Sequence, residues 1–320
     1  MPEKTRSLFS VVSFAVALVA SAGCAGTSPS SVSGFVGAAP QDWVAIPKAK
    51  RYVYGCAAPE NTCDVYSVKG TLLRSLSPSD GLSAPAGTMA DPTGLWYIAN
   101  AGASNVLVFS AGGGALTKTL RDTGEVPNDV AISGQVVAAS NEYATGPIST
   151  GSVSVYTNAA THPAYMLTVP GALQGIGVAF DRHGNCFWSY NDSPSADGHI
   201  AEFTGCKKGA KPKILGITLV EAGGMAFDQS DNLWYTDQGA GLFRCAGTAG
   251  CELVTNGFSD PATINFNATS TVLYLADPTF GLYDITHLAK APSRNAHPDY
   301  IVTPFASSPG AGGVAAGPGL

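Results

Sequence analysis

The sequence predicts an all-β protein, a six-bladed β-propeller whose ring is closed by one carboxy-terminal and three amino-terminal strands. A phrase of alternating apolar and small residues, which often ends in Asp or Asn, occurs six times at intervals of 39 to 50 residues. Further apolar runs separated by turn residues follow each phrase, and no stretch beyond the amino-terminal segment shows a convincing helical period. Four short strands per repeat are typical of a propeller blade. The six phrases are Met89–Asp91, Val130–Ser133, Val178–Asp181, Met225–Asp228, Ile264–Asn267 and Val314–Gly317.

Within each repeat the phrase forms the first predicted strand, and the runs after it form the other three. The second run closes on Asn or Asp, which we interpret as an Asx-turn whose side chain binds nearby backbone N–H groups. Trp96, Trp188 and Trp234 fall on second strands, where packing between blades is favoured over stacking on a sugar ligand. The closing residues are Asn100, Asn141, Asn191, Asp237 and Asp277.

The two ends of the chain are predicted to share one blade. The sixth phrase, Val314–Gly317, leaves room for only one strand before the chain ends. The three missing strands are predicted at Tyr52–Gly55, Asp64–Val68 and Leu72–Leu76. Such a shared blade closes the ring and leaves no open sheet edge to aggregate.

Residues 1–23 are interpreted as a secretory signal peptide. Lys4 and Arg6 give the segment a basic start, and the apolar run Leu8–Ala20 follows. That run is too short for a transmembrane helix, which needs about 20 apolar residues. The protein is therefore expected to be exported.

Two processing schemes remain open at the end of this leader. Ala22-Gly23-Cys24 resembles the end of a bacterial lipobox, which would make Cys24 the lipidated first residue of a cell-membrane or outer-membrane lipoprotein. Alternatively, Ala20-Ser21-Ala22 fits an ordinary signal peptidase and a periplasmic or secreted protein. Residues 24–44 are rich in small residues and proline, and are predicted to be a flexible tether that precedes the propeller at residues 45–320.

The cysteines indicate a disulfide framework. The chain has seven cysteines, and six remain once Cys24 is assigned to lipid attachment. An oxidising compartment favours disulfides over unpaired buried cysteines. Sequence alone permits many connectivities, but local pairing is favoured because close neighbours bracket predicted hairpins. The predicted pairs are Cys56–Cys63, Cys186–Cys206 and Cys245–Cys251.

Composition excludes several classes of protein. Hydrophobic residues form 45% of the chain, which is enough for a large core and excludes global disorder. The formal net charge is −6 and the isoelectric point is about 5.3. Binding to nucleic acid or to an anionic lipid surface needs a basic patch, so membrane contact is expected only through the lipid anchor.

One repeat phrase carries a family resemblance. Gly224–Asp228 followed by Asn232–Asp237 resembles the repeats of six-bladed propellers that include NHL-repeat proteins and the gluconolactonase (senescence-marker lactonase) group. The resemblance covers Tyr52–Leu320 and implies a fold rather than an activity. It also implies a channel mouth where that lactonase group holds one metal with a Glu, two Asn and an Asp. Pro127-Asn128-Asp129 matches the family's Pro-Asn-Asp phrase, so Asn128 is a candidate ligand.

The other ligand positions of that family are not matched. Gln174–Gly177, Ala222–Gly224 and Gly310–Gly313 lack the expected Asn, Asp and Glu. Asp260, which precedes the phrase Ile264–Asn267, is the only further carboxylate that we take as a candidate ligand at the entry to a first strand. Asn128 and Asp260 are thus the candidate metal residues, with Ca²⁺ as the candidate ion, and a turn or strand cap is the alternative role for both.

Tyr143 and Tyr190, near strand ends on the mouth side, are candidate ligand contacts. The five histidines are scattered, and the sequence contains no nucleophile elbow, phosphate-binding loop or Cys-x-x-Cys pair, so no catalytic residue is assigned. The sequence therefore predicts a monomeric, exported, lipid-anchored propeller that binds a protein, small-molecule or glycan ligand at the cell envelope. The alternatives are a lactonase-like hydrolase with a rearranged metal site in the channel, and a structural partner in an envelope assembly.

Overall fold

The structure, a computed structural model of the 320-residue chain, confirms the all-β six-bladed propeller. In its described part, 24 strands form six four-stranded antiparallel sheets. The helices found there are short 3₁₀ turns, at Pro78–Asp80, Ala101–Ala103 and Thr204–Cys206, and none is long and apolar enough to cross a membrane. The predicted signal peptide, Cys24 and the predicted tether lie outside the described residues. The structure describes residues 51–144, 150–193, 196–286, 288, 301–306 and 310–317.

Each blade is a meander in which strands adjacent in sequence are hydrogen-bonded. The first strands of neighbouring blades contact one another all around the ring, so they line its centre. Blade 1 contains β24 (Ala311–Ala316), β1 (Tyr52–Ala57), β2 (Thr62–Ser67) and β3 (Leu72–Leu76). Blades 2 to 6 contain, in order, β4 (Pro85–Ala90), β5 (Trp96–Asn100), β6 (Asn105–Phe109) and β7 (Leu116–Arg121); β8 (Glu125–Ser133), β9 (Val136–Ala144), β10 (Ser152–Thr157) and β11 (Tyr165–Leu167); β12 (Gln174–Phe180), β13 (Cys186–Ser193), β14 (Ala196–Phe203) and β15 (Pro212–Leu219); β16 (Ala222–Phe227), β17 (Leu233–Asp237), β18 (Gly241–Ala246) and β19 (Ala249–Thr255); and β20 (Ile264–Phe266), β21 (Leu273–Asp277), β22 (Gly281–Thr286) and β23 (Ile301–Ala306).

The predicted ring closure is confirmed. β24, from the carboxy-terminal end of the chain, pairs antiparallel with β1 from the other end, with Ala315 opposite Tyr54. β1 then pairs with β2, and β2 with β3. Blade 1 therefore takes one strand from one end of the chain and three from the other.

The hydrophobic core lies mainly between blades. Its clusters of buried side chains span neighbouring sheets, because each sheet is covered by apolar residues on both faces. The three tryptophans on second strands are fully buried and each contacts a residue of an adjacent blade, which confirms that they pack between blades. The contacts are Trp96 stacked on Tyr54, Trp188 donating a hydrogen bond to Ser140, and Trp234 edge-on to Phe266.

At the centre of the ring, first strands of neighbouring blades come into backbone contact. A Cβ atom on Gly224 would lie 2.7 Å from Thr263 Cα and 2.9 Å from Ala262 O, and one on Gly177 would lie 2.7 Å from Gly223 O. These distances are shorter than a carbon atom tolerates against backbone. Glycine at these positions therefore lets the first strands close around the axis.

The glycine-rich segments also leave the regular ladder. In blades 2, 4 and 5 the register between first and second strand shifts across the same point, and it also shifts in blades 1 and 3. A bulge of this kind redirects the backbone locally. The bulged residues include those that contact the next blade. The shifts of blades 2, 4 and 5 lie between Pro85 and Thr88, between Gly175 and Val178, and between Ala222 and Met225.

All three local disulfides that the sequence predicts are formed. The bonds join Cys56 to Cys63, Cys186 to Cys206, and Cys245 to Cys251. The first and third pairs lie on neighbouring strands of one hairpin, and the second ties β13 to the turn after β14. Each of these three bonds therefore links two segments of the same blade, and none of them joins two blades.

Candidate functional site

One end of the ring, which we call the top face, collects two sets of loops. Because the strands of a blade alternate in direction, the connections from second to third strand and from each blade to the next emerge at the same end. The strand ends that flank these loops belong to the same face. Its described loop segments are 58–61, 77–84, 101–104, 122–124, 150–151, 168–173, 220–221, 238–240, 256–263, 278–280 and 310.

Polar residues at the ends of second strands hold the top-face loops in place. Four of the five predicted Asx residues accept a hydrogen bond from a backbone N–H of a segment that enters a first strand, so their structural role is confirmed. The predicted Asx-turn itself is seen at Asp237 and Asp277, which accept from Gly239 N and Thr279 N. These contacts fix the loop backbone where a ligand would meet it. The bonds are Ser83 N to Asn100 Oδ1 (2.6 Å), Ala222 N to Asn191 Oδ1 (2.9 Å), Val220 N to Asp237 Oδ2 (2.8 Å) and Ser259 N to Asp277 Oδ2 (2.8 Å).

Large apolar side chains are exposed on the top face. Tyr143, Leu173, Val220 and Phe280 belong to four successive blades, and their exposed fractions are 38%, 36%, 57% and 56%. Single exposed apolar residues are ordinary on a protein surface. Four around one end of a ring, on loops held by side-chain hydrogen bonds, indicate a surface suited to contact with another molecule.

Carboxylates of the top face accompany these apolar groups. Burial raises the pKa of Glu142, whose side chain accepts a hydrogen bond from Gln174 Nε2 at 3.0 Å. Burial, and then the charges of Asp260 and Asp237, raise the pKa of Glu221. Burial and the charge of Asp277 raise the pKa of Asp260. None of the ion pairs among the described residues involves Glu142, Glu221 or Asp260, so no described cation is paired with these three carboxylates.

The two candidate metal residues lie apart in the fold. Asn128 is on β8 in blade 3, and its amide nitrogen donates a hydrogen bond to Ile176 O in blade 4 at 3.2 Å. Asp260 precedes β20 in blade 6, beside Asp277. Within the part of the chain that the structure describes, no group of three or more His, Cys, Asp or Glu side chains is arranged to hold a metal ion. Asn128 therefore lies in blade 3 and Asp260 at the entry to blade 6, and Asp260 belongs to no such group.

The two candidate tyrosines have different environments. Tyr143 is one of the exposed residues of the top face. The Tyr190 ring is only 4% exposed and stacks on Trp188, with 4.9 Å between ring centroids. His199 packs against the other side of the Tyr190 ring at 5.5 Å. Tyr143 is therefore available to a ligand, whereas Tyr190 belongs to the core.

Asp129, next to Asn128, is a functional candidate that sequence reasoning did not select. Its side chain is buried, and Oδ2 accepts a hydrogen bond from Val178 N in the next blade at 3.0 Å. Burial raises the pKa of this carboxyl to about 7, although the backbone hydrogen bonds oppose the shift. No sequence signal separates it from Asn128, because its role depends on the approach of blade 4.

Two clefts lie at the opposite end of the ring, between adjacent blades. The larger, of about 660 Å³, is between blades 5 and 6, and Arg244 lines it. The Arg244 guanidinium lies 5.4 Å from the centre of the Trp234 ring, and its buried Nε has no hydrogen-bond partner among the described residues. A second cleft of about 590 Å³ lies between blades 2 and 3. Neither cleft contains a sequence-predicted site residue.

Comparison with known proteins supports the fold and goes no further. No protein-family model matches the sequence, and no curated protein matches it. Among solved structures, hydrazine synthase from Kuenenia stuttgartiensis is similar, with a TM-score of 0.56 over 75% of this chain and 81% of that chain. The two sequences are 13% identical over this match, so the similarity concerns the propeller architecture alone.

Proposed function

We propose that the protein is an exported, lipid-anchored β-propeller that acts as a binding module at the cell envelope, with the top face as its binding surface. The observation that carries this proposal is the combination of exposed apolar side chains and unpaired carboxylates on one set of hydrogen-bonded loops. Burial of a side chain such as Phe280 contributes about 1.5–3 kcal/mol to association. The carboxylates favour a partner with complementary positive charge.

The chemistry of the top face fits a protein partner. A segment that carries both apolar and basic side chains would cover Val220 and Phe280 while it neutralises Glu221 and Asp260. Neighbouring first strands pack closely side by side, since a side chain on Gly224 would meet the backbone at Ala262–Ile264 in the next blade. Because the exposed apolar side chains lie on the top face, binding across its loops is favoured over binding deep in the channel.

Site-specific photo-crosslinking in cells tests the binding surface. A photoreactive residue at position 280 should give a discrete crosslinked species, because this position is exposed on the top face. The same residue at position 253 is the matched control, since Leu253 is equally exposed but lies on the outer strand β19. The double change Val220→Ser and Glu221→Gln should abolish the crosslink at 280. A crosslink at 253 alone, or one at 280 that survives this double change, would contradict the proposal.

Export and lipid attachment are supported by the leader and by Cys24 at its end. Fractionation of cells that express Cys24→Ser tests this part separately. The variant should move from the membrane to the soluble exported fraction, because it lacks the thiol that carries the lipid. Unchanged membrane association would exclude a lipid anchor at Cys24. It would not bear on the proposal that the top face is the binding surface.

We also infer that the chain is a divergent relative of the NHL-repeat and gluconolactonase-like propellers. The repeat phrases and Pro127-Asn128-Asp129 support this relationship. The lactonase-like alternative rests on Asn128, so it requires a divalent ion to raise the melting temperature in a way that Asn128→Ala removes. Asn128 already donates to a backbone carbonyl, which favours a capping role and hence the binding module.

A further inference from the structure

Blade 3 buries two carboxylates close to each other. Asp122 is 1% exposed and Glu125, at the start of β8, is 9% exposed. Burial, and then the charge of Asp122, raise the pKa of Glu125 above its ordinary value. None of the ion pairs among the described residues reaches either group. Burial also raises the pKa of Asp122 to about 6. Buried carboxylates are normally paired with a cation, bound to a metal or protonated, and no cation of the described residues is paired with these two.

The hydrogen bonds around these carboxylates all run from the Asn141 amide, through two serine hydroxyls, to the carboxylate oxygens. Asn141 Nδ2 donates to Ser152 Oγ and to Ser154 Oγ, both at 2.9 Å. Ser152 Oγ donates to Glu125 Oε2 at 3.0 Å, and Ser154 Oγ donates to Asp122 Oδ1 at 2.6 Å. Each hydroxyl has one proton and the amide has two. The Tyr156 hydroxyl also lies beside Asp122, and it donates to Arg121 O at 3.2 Å. Each of these described donors therefore already has an acceptor.

Two oxygen atoms remain without a partner. Asp122 Oδ2 and Asn141 Oδ1 are buried and accept no hydrogen bond in the described structure. Asn141 itself is 0% exposed, and it differs in this respect from Asn100 and Asn191, whose Oδ1 atoms accept backbone N–H groups. Reversing the Asn141 amide does not resolve the problem, because its oxygen would then face two hydroxyls whose protons already bond the carboxylates.

We propose that a calcium ion binds inside blade 3, held by the oxygens of Asp122, Glu125 and Asn141. Carboxylate and amide oxygens are the ligands that Ca²⁺ prefers, and it accepts water in the remaining positions. The ion would tie the loop before β8 to β9 and so stiffen the top face at blade 3.

This proposed calcium site differs in its ligands and in its location from the metal site at the channel mouth that the family resemblance implies. It has two carboxylates and one amide oxygen, and it involves neither Asn128 nor Asp260. The third strand of the blade contributes as well, since the hydroxyls that orient the carboxylates come from β10. The alternating residues Ser152 and Ser154 place both hydroxyls on one face of that strand.

Calorimetric titration and thermal unfolding of the purified full-length protein test the proposal. After treatment with a chelator at pH 8, addition of calcium chloride should raise Tm by several degrees and titrate with one ion per chain. Asp122→Asn keeps the shape and the acceptor for Ser154 but removes the charge, so it should fold in chelator and lose the response to calcium. Glu125→Gln is the second variant, and it should weaken calcium binding at least tenfold if Asp122→Asn does not fold.

Asp260→Asn and Asn128→Ala are the controls and should keep the full response to calcium. A wild-type protein without a calcium response, or one that responds to sodium or magnesium but not calcium, would overturn the assignment. A response that persists in both Asp122→Asn and Glu125→Gln, or that disappears in Asp260→Asn, would place the ion elsewhere. These outcomes do not depend on what the top face binds.

Discussion

Gly55 and Val314 are direct register partners across β1 and β24, although nearly the whole propeller sequence separates them. The same strand β24 also joins blade 6, because Val314 N donates a hydrogen bond to Thr263 Oγ1 at 3.0 Å. Thr263 Oγ1 in turn donates to Gly312 O at 2.9 Å. Ring closure is therefore concentrated in one short strand that bonds to two blades.

We expect a chain that ends at Gly310 to lose its compact native state. Without β24, the edge of β1 is open and its backbone groups are available to other chains. Size-exclusion chromatography should show aggregation, and thermal unfolding followed by circular dichroism should lose its sharp transition. A chain that ends at Gly317 retains β24 and is the matched control. Equal behaviour of the two truncated proteins would mean that β24 does not close the ring.

Two adjacent glycines on β24 should respond differently to alanine. A Cβ on Gly313 would collide with the backbone carbonyl of Ala86 in blade 2, whereas one on Gly312 would meet nothing within 4 Å. Backbone cannot rotate away, so Gly313→Ala should lower the free energy of unfolding by about 1–3 kcal/mol. Gly312→Ala should change it by less than about 1 kcal/mol. Urea denaturation measures both, and similar losses in the two variants would refute close contact between the first strands.

Strands and closure could be predicted from the sequence because they depend on local alternation and on turn residues, which repeat in every blade. Contacts between blades could not be predicted in this way, because they join residues that are far apart in the sequence and close only in the folded ring. Asn128 was selected for its phrase, but its bond to Ile176 O exists only because blade 4 lies beside it. Tyr190 was placed at the mouth, yet the alternation of β13 turns it onto Trp188. In the buried cluster, Asn141 belongs to the repeated set of closing residues, but Asp122 and Glu125 have no counterpart in that repeat, so the sequence could not indicate that the three lie together.

The three disulfides should contribute unequally to stability. The Cys186–Cys206 bond spans 20 residues, whereas Cys245–Cys251 spans 6. A longer closed loop restricts the unfolded chain more, so loss of the first bond should cost about 3 kcal/mol and loss of the second about 2 kcal/mol. Urea denaturation of the two double alanine variants measures this difference.

Non-reducing peptide mapping is the control for that comparison. It should recover the remaining two local pairs intact in each double variant. A rearranged pair, such as Cys56 joined to Cys251, would contradict the local scheme. So would a larger loss of stability in the variant that lacks Cys245 and Cys251.

Asp129→Asn should make the stability of the protein less dependent on pH. Burial raises the pKa of Asp129 from 3.8 to about 7 in the folded state. Between these values the folded protein holds a proton that the unfolded chain releases, so the free energy of unfolding falls as pH rises. Above pH 7 the buried charge costs on the order of a few kcal/mol. Asparagine stays neutral and keeps an oxygen that accepts the Val178 N–H.

The variant should therefore match the wild type near pH 4 and exceed it in stability at pH 8, as measured by urea denaturation at one-unit steps. Asp197→Asn is the control, because this exposed aspartate already has a backbone φ of 63° that asparagine tolerates. Its stability should follow the wild-type pH curve throughout. If Asp129→Asn also runs parallel to the wild type, then Asp129 is ionised in the folded protein at all these pH values, and a cation or a water-filled space must lie beside it.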